Sequence, residues 1–283
     1  QQNLSASTHW AQNAITVAGL ANGTYGSSPS TLYFNQGIRI TNDNILYIAD
    51  SSNNRIVLIG PDSTMAIDII QNAPDSSPLF SYPSDIFVTE KYIYIADSFN
   101  YRVVRLFKNR TNPVTIAGIN GALGTTPNTS VIGVCYSISV DSNENLYVSD
   151  FLNNRVVRYS SNSSSGMLGA IIAGDGIDGN GISQLNRPWG IFVNEAETLY
   201  VADYLNHRIQ KWDKGASFGV TVAGTGVSDS SSTIISTSTI TTTTTTITTT
   251  ITDHTTSLEA SSESSRTHST TVAVSIAVLV VLC

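Results

Sequence analysis

Four aspartates, Asp50, Asp97, Asp150 and Asp203, each have an arginine five positions further on, at Arg55, Arg102, Arg155 and Arg208. A ring of four carboxylates has the charge to hold a metal ion. An arginine beside each removes that need, because guanidinium and carboxylate satisfy one another by charge-assisted hydrogen bonds. The spacing therefore predicts repeated structural pairs and no metal. Other chemistry is thinly supplied. The repeat region holds two histidines, His9 and His207, whereas zinc needs three or four converging ligands. His207 stands where the other copies carry Asn or Tyr and reads as a solvated turn residue. Asp175, Asp178 and Asn180 suggest a calcium loop, but the terminal Glu of an EF-hand is missing, so a structural turn is expected. No nucleophile elbow, Walker or dinucleotide glycine pattern occurs. Cys135 lies in an apolar run and Cys283 is the last residue, so no disulfide framework is expected. Neither a catalytic residue nor a cofactor is predicted.

The Asp and Arg belong to a fourteen-residue phrase that occurs four times: LYIADSSNNRIVLI from Leu46, IYIADSFNYRVVRL from Ile93, LYVSDFLNNRVVRY from Leu146 and LYVADYLNHRIQKW from Leu199. The Tyr-, Ile- and Val-rich runs suit a pleated, half-buried surface. The four residues between Asp and Arg make a short turn, so the two runs must pair as a hairpin. Asn fits that turn because it tolerates left-handed backbone. Two further phrases accompany each hairpin. An apolar strand precedes it, in QGIRI from Gln36, SDIFV from Ser84, YSISV from Tyr136 and WGIFV from Trp189. A strand closed by Ala-Gly follows it, in VTIAG from Val114, AIIAG from Ala170 and VTVAG from Val220, with TMAIDII from Thr64 as a copy lacking the Gly. Four strands per unit, repeating every 47 to 53 residues, define a β-propeller blade. A fifth Ala-Gly phrase, ITVAG at Ile15–Gly19, precedes the first unit.

The combined pattern of TVAG, GI and LYVAD-turn-NNRV resembles the NHL repeat family of β-propellers, over roughly residues 15–226. The resemblance implies an all-β propeller whose loops bind partners or substrates, but no single function. Family members include RNA-binding tripartite-motif-type proteins, a peptidyl-amidoglycolate lyase and extracellular adhesion receptors. Many have six blades, whereas this sequence supplies four hairpins. The expectation is a four-bladed ring with one spare strand, or an open arc of a larger ring. The lyase relatives hold a metal with several histidines, which this chain lacks.

Six turn positions carry large side chains: Phe99, Tyr101, Phe151, Leu152, Tyr204 and Leu205. If the hairpins share one orientation, these fall on one face, which would serve as a partner-binding surface. The competing expectation is that they pack between blades. Trp189 is placed near the channel mouth, where core packing also competes. Net charge is −7 for 283 residues, and residues 1–226 carry 13 Lys/Arg against 17 Asp/Glu. That balance, without a basic stripe, argues against a nucleic-acid partner.

Beyond Gly226 the composition changes. Thirty of the 44 residues from Ser228 to Thr271 are Ser or Thr. No core is available there, so residues 227–271 are expected to be a disordered stalk, O-glycosylated or a plain linker. The apolar stretch Val272–Cys283 is too short to span a bilayer as a helix. With Ser261, Ser262, Ser264 and Ser265 before it, the stretch reads as a GPI-attachment signal, or else as a truncated transmembrane helix. The chain opens at Gln1 without Met, as a mature form or fragment would. N-glycosylation sequons at Asn3, Asn22, Asn109, Asn128 and Asn162 agree with the secretory route. The expected protein is an extracellular, membrane-tethered or secreted module that recognises a protein or glycan. The alternatives are a secreted propeller hydrolase or lyase and, further off, an RNA-binding domain.

Overall fold

A computed structural model describes residues 14–71 and 79–226, together with the backbone of 239–242 and 245–248. The chain divides into two compact units, Thr16–Ser228 and the pair Gln1–Ile15 with Asp229–Cys283. Among its described residues the first unit holds sixteen strands in four antiparallel sheets, each a blade of four consecutive strands. Blade 1 is β1 (Ile38–Ile40), β2 (Leu46–Asp50), β3 (Arg55–Ile59) and β4 (Ala66–Ile70). Blade 2 is β5 (Pro83–Val88), β6 (Tyr92–Asp97), β7 (Arg102–Phe107) and β8 (Val114–Gly118). Blade 3 is β9 (Cys135–Val140), β10 (Leu146–Asp150), β11 (Arg155–Tyr159) and β12 (Ala170–Ala173). Blade 4 is β13 (Pro188–Val193), β14 (Leu199–Asp203), β15 (Arg208–Trp212) and β16 (Val220–Ala223). The fold is an all-β propeller architecture of four blades.

Each hairpin is fixed by its turn. Asp50, Asp97, Asp150 and Asp203 pair directly with Arg55, Arg102, Arg155 and Arg208 in the strand register. Between them runs one turn of 3₁₀ helix closed by a left-handed residue: Asn54, Tyr101, Asn154 or His207, with φ between 49° and 55°. Asn adopts that conformation readily, whereas Tyr and His do so at a cost. The strand after the turn meets the outer strand through a β-bulge in every blade, which adds local twist. At Gly118, Gly174 and Gly224 the chain leaves that outer strand with φ of 75° to 80°, and a Cβ there would lie 2.2–2.3 Å from the carbonyl oxygen of the left-handed turn residue. Only glycine meets both conditions, which explains the Ala-Gly ending of the phrase.

The core lies between blades. Strand alternation gives each sheet two apolar faces, and the faces that meet at the three blade junctions are buried there. Tyr47, Ala49 and Ile56 of blade 1 pack with Ile86, Ile95 and Leu106 of blade 2. Tyr94, Ala96 and Val103 of blade 2 pack with Ile138, Val148 and Tyr159 of blade 3. Tyr147 and Val156 of blade 3 pack with Leu199, Val201 and Trp212 of blade 4. Blades 1 and 4 do not close on one another in this way, because the outward faces of both stay partly exposed. The architecture is an open arc, and the closed four-bladed ring is set aside. The spare phrase at Ile15–Gly19 forms no strand; its Ala18 packs on Ile48, Val57 and Ile59 of blade 1.

In the second unit β17 (Thr239–Thr242) and β18 (Thr245–Thr248) form a two-stranded antiparallel ribbon. This ribbon falls within the Ser/Thr-rich stretch 227–271. Thr is β-branched and favours extended backbone when nothing forces it to pack. The remainder of the stalk, the apolar tail with Cys283, and Asn3 and His9 lie outside the described residues.

Candidate functional site: the turn face of the blades

The Asp–Arg pair is the frame on which the turn face is built. Arg Nε donates to Asp Oδ2 at 2.7 Å in blades 1 and 2, 2.9 Å in blade 3 and 2.8 Å in blade 4. The other carboxylate oxygen accepts a backbone N–H from the segment entering the same blade: Tyr33, Ser81, Gly133 or Asn186, at 2.6–2.8 Å. The turn asparagine, Asn53, Asn100, Asn153 or Asn206, donates a third bond to the same Asp. The remaining guanidinium nitrogens reach loop carbonyls. Arg155 bonds Pro127, Asn128 and Val131, and Arg208 bonds Asn180, Gly181 and Gln184. Burial pushes the Asp97 and Asp150 carboxyls up, opposed chiefly by the Ser81 N–H at Asp97 and by Arg155 at Asp150. All four carboxylates are thus occupied by protein donors.

This frame brings the entry segment of each blade beside its turn. The register places Pro83 opposite Asp97, Cys135 opposite Asp150 and Pro188 opposite Asp203. Side chains from both segments therefore emerge at the same end of the sheets. Tyr136 stacks on Trp189 of the next blade at 4.2 Å and 4°, and Phe151 meets both rings edge-on. Tyr204 lies against Trp189 at 5.5 Å, and the Arg187 guanidinium sits over the Phe151 ring at 5.3 Å. In blade 2 Tyr82 stacks on Phe99 at 4.5 Å, with Phe34 of blade 1 at 6.3 Å from Tyr82. Gln36 Nε2 donates to the Tyr82 hydroxyl at 2.8 Å, across the same blade junction. Two latches hold these segments: Asn54 Oδ1 accepts Tyr82 N–H, and Asn154 Oδ1 accepts Arg187 N–H.

The six turn residues divide as follows. Phe99 and Tyr204 are 48% and 49% exposed, and Leu152 and Leu205 are exposed beside them. Phe151 and Tyr101 are half-buried, Phe151 because it bridges blades 3 and 4. Trp189 is 39% exposed on the same surface. Phe34, Tyr82, Tyr136 and Arg187 complete the surface, and turn chemistry alone misses them. The signal for them was the near-constant distance between each hairpin Asp and the entry segment bonded to it, 17 residues earlier in blades 1, 3 and 4 and 16 in blade 2.

The remaining chemistry is quiet. Among the described residues no group of three or more His, Cys, Asp or Glu is placed to hold a metal. Asp175 accepts from Ile177 N–H and from Gln184 Nε2, and the Asn180 carbonyl is taken by Arg208. His207 is an exposed turn residue. Cys135 is fully buried, and burial pushes its thiol well up, so it stays protonated at neutral pH. A groove of about 370 Å³ opens at the outer edge of blades 3 and 4, with Arg158, Glu197, Trp212 and Lys214 among its walls. Glu197 is paired there with Lys214 at 2.7 Å, and no histidine lines the groove. No described helix is long and apolar enough to cross a membrane.

Fold and site together define an arc of four β-propeller blades. Residues 185–212, which hold β13 to β15, match the model of the NHL repeat family. Solved structures of similar fold include selenomethionine-substituted virginiamycin B lyase from Staphylococcus aureus, with 14% identity and a TM-score of 0.44 over 62% of this chain and 51% of that one. A catalytically inactive variant of that lyase with quinupristin gives 14% identity and a TM-score of 0.48 over 69% and 56%. A streptogramin B lyase gives 14% identity and a TM-score of 0.42 over 62% and 50%. The chain thus spans about half the length of these structures. No match was found among curated proteins.

Proposed function

We propose that this chain is a recognition module that binds an extracellular protein or glycan through the turn face of its blades. One observation carries the reading: Tyr82 stacks on Phe99 and Tyr136 on Trp189, with Phe151 edge-on and Tyr204 tilted against Trp189, on a surface framed from beneath by the Asp–Arg pairs. Exposed aromatic rings fixed in place supply contact area at little entropic cost, as binding hot spots do. The alternative of a hydrolase or lyase needs a proton-transferring or metal-bound centre, and the carboxylates of this face are all committed to Arg and backbone donors. The sequons and the C-terminal composition favour an extracellular, membrane-tethered setting.

Arrays of immobilised glycans and extracellular domains, probed with the full chain and with a Trp189→Ala/Tyr204→Ala variant, test this. The expected result is a ligand whose binding drops at least tenfold in the variant, as for a hot spot of about 1.4 kcal/mol or more. Ligands that bind both proteins equally would place recognition elsewhere.

A further inference from the structure

The two ends of the arc carry the two halves of one interface. In blade 2 the face turned to blade 3 is built on Phe87, Tyr94 and Arg105, with Ala96, Val103 and Ala117 beside them. The matching residues of blade 4 are Phe192, Tyr200 and Lys211, with Ala202, Ile209 and Ala223. Tyr47, Tyr94 and Tyr147 are buried by the next blade, whereas Tyr200, at the same place, is only half-buried. The opposite end shows the receiving half. Ile86 and Val88 of blade 2 are 2% and 8% exposed under blade 1, while their counterparts Ile38 and Ile40 of blade 1 are 53% and 63% exposed. Exposed Ile side chains on an inner strand leave apolar surface in water that the neighbouring blade covers at the equivalent positions of blade 2.

The outer part of this receiving face is already occupied. Ala18 packs on the cluster of Ile48, Val57 and Ile59. A Cβ on Gly19 (φ +77°) would meet Leu32, as one on Gly118 (φ +75°) would meet Ile132 of blade 3. The chain from Ala18 to Gly19 therefore lies on blade 1 as the end of β8 lies on blade 3. Its phrase, ITVAG, differs from VTVAG of β16 only by Ile for Val. What the inner part of this face lacks is a neighbouring set of three inner strands, and β13 to β15 with their open face are such a set.

We propose that copies of this chain associate head to tail: blade 4 of one copy seats on blade 1 of a second, and the ITVAG segment of the second replaces β16 along β15. The contact continues the blade–blade interface that the chain already makes three times. It is heterologous, so it closes into a ring or extends as a filament according to the rotation per blade. The Tyr200 hydroxyl would then face Asn44 of the second copy, as the Tyr94 hydroxyl donates to Glu144 at 2.5 Å.

The test uses the full chain over a concentration series in sedimentation velocity, with Ile40→Lys and Phe192→Lys variants, each checked for folding by circular dichroism. Expected are a mass that at least doubles with concentration for the parent, monomers for each variant alone, and a dimer when the two variants are mixed, since each retains one intact half. In a Cys283→Ser background, mixed Ala18→Cys and Ile209→Cys chains should form a disulfide-linked pair, because Ile209 lies opposite Ala223 in the present register. A parent that stays monomeric throughout overturns the proposal and assigns the end faces to other blades. Variants that still self-associate alone overturn the head-to-tail contact, and association without the cross-link overturns the strand replacement.

Discussion

Replacing Arg155 by Leu removes the most enclosed of the four clasps. Arg155 has no exposed surface, and its Nε donates to Asp150 Oδ2 at 2.9 Å. Its other nitrogens reach the Asn128 carbonyl at 2.7 Å, Pro127 at 3.2 Å and Val131 at 3.4 Å. The substitution leaves Asp150 with two donors, Gly133 N–H and Asn153 Nδ2, both at 2.8 Å, and no countercharge. Breaking a buried pair from one side costs about 3–5 kcal/mol, a large share of the 5–15 kcal/mol that typically holds a domain. Urea denaturation of the full chain should show that loss. The Arg155→Leu/Asp150→Leu double variant should lose less than the sum of the single losses, with a coupling of roughly 1–3 kcal/mol. The deficit is also pH-dependent. Burial raises the Asp150 carboxyl and Arg155 opposes that rise, so without Arg155 its pKa climbs further. A carboxyl raised on folding favours the fold at low pH and costs stability as pH rises, so the Arg155→Leu deficit should shrink on acidification. A loss below about 1 kcal/mol would show that the clasp contributes no more than a surface ion pair, and would refute its role as the frame of the turn face.

Other expectations follow from single residues. Burial raises the Asp85 carboxyl to about 6 although one side still reaches solvent, against bonds from Ile138 and Ile86 N–H. Its contribution favours folding below pH ~4 and is lost between pH ~4 and ~6, by at most ~3 kcal/mol; denaturation across that window should lose this slope in Asp85→Asn. Tyr101 holds φ 55°, so Tyr101→Asn should stabilise by about 0.5–1 kcal/mol in the same assay. Asn22, Asn109, Asn128 and Asn162 are exposed, and protein from secreting cells should drop in mass on peptide-N-glycosidase treatment, while phosphatidylinositol-specific phospholipase should release it from cells if the tail directs a GPI anchor.

Local chemistry made much of this legible. The Asp-turn-Arg phrase predicts the hairpin and its ion pair because both depend on residues five apart. The Ala-Gly ending marks the outer strand because Gly118, Gly174 and Gly224 touch turn backbone that no Cβ could share. What escaped depends on distant parts of the chain. Whether blade 4 meets blade 1 is set by small rotations accumulated over three junctions, which no phrase encodes. Ile15–Gly19 reads as a strand by composition, yet it runs unpaired over blade 1, with Ala18 against Ile48, Val57 and Ile59. Tyr82 and Arg187 look like ordinary loop residues, and Tyr136 like an ordinary strand residue, until the bond from the entry segment to Asp places them beside Phe99, Phe151 and Tyr204.

Hydrogen-exchange mass spectrometry of the full chain, with and without the first ligand that the arrays return, tests recognition by the turn face most directly. Slowed exchange in peptides covering 81–101, 133–154 and 186–206 is predicted, since these carry the entry segments and turns. Protection confined to 170–175 and 212–217, along the outer groove, would contradict it.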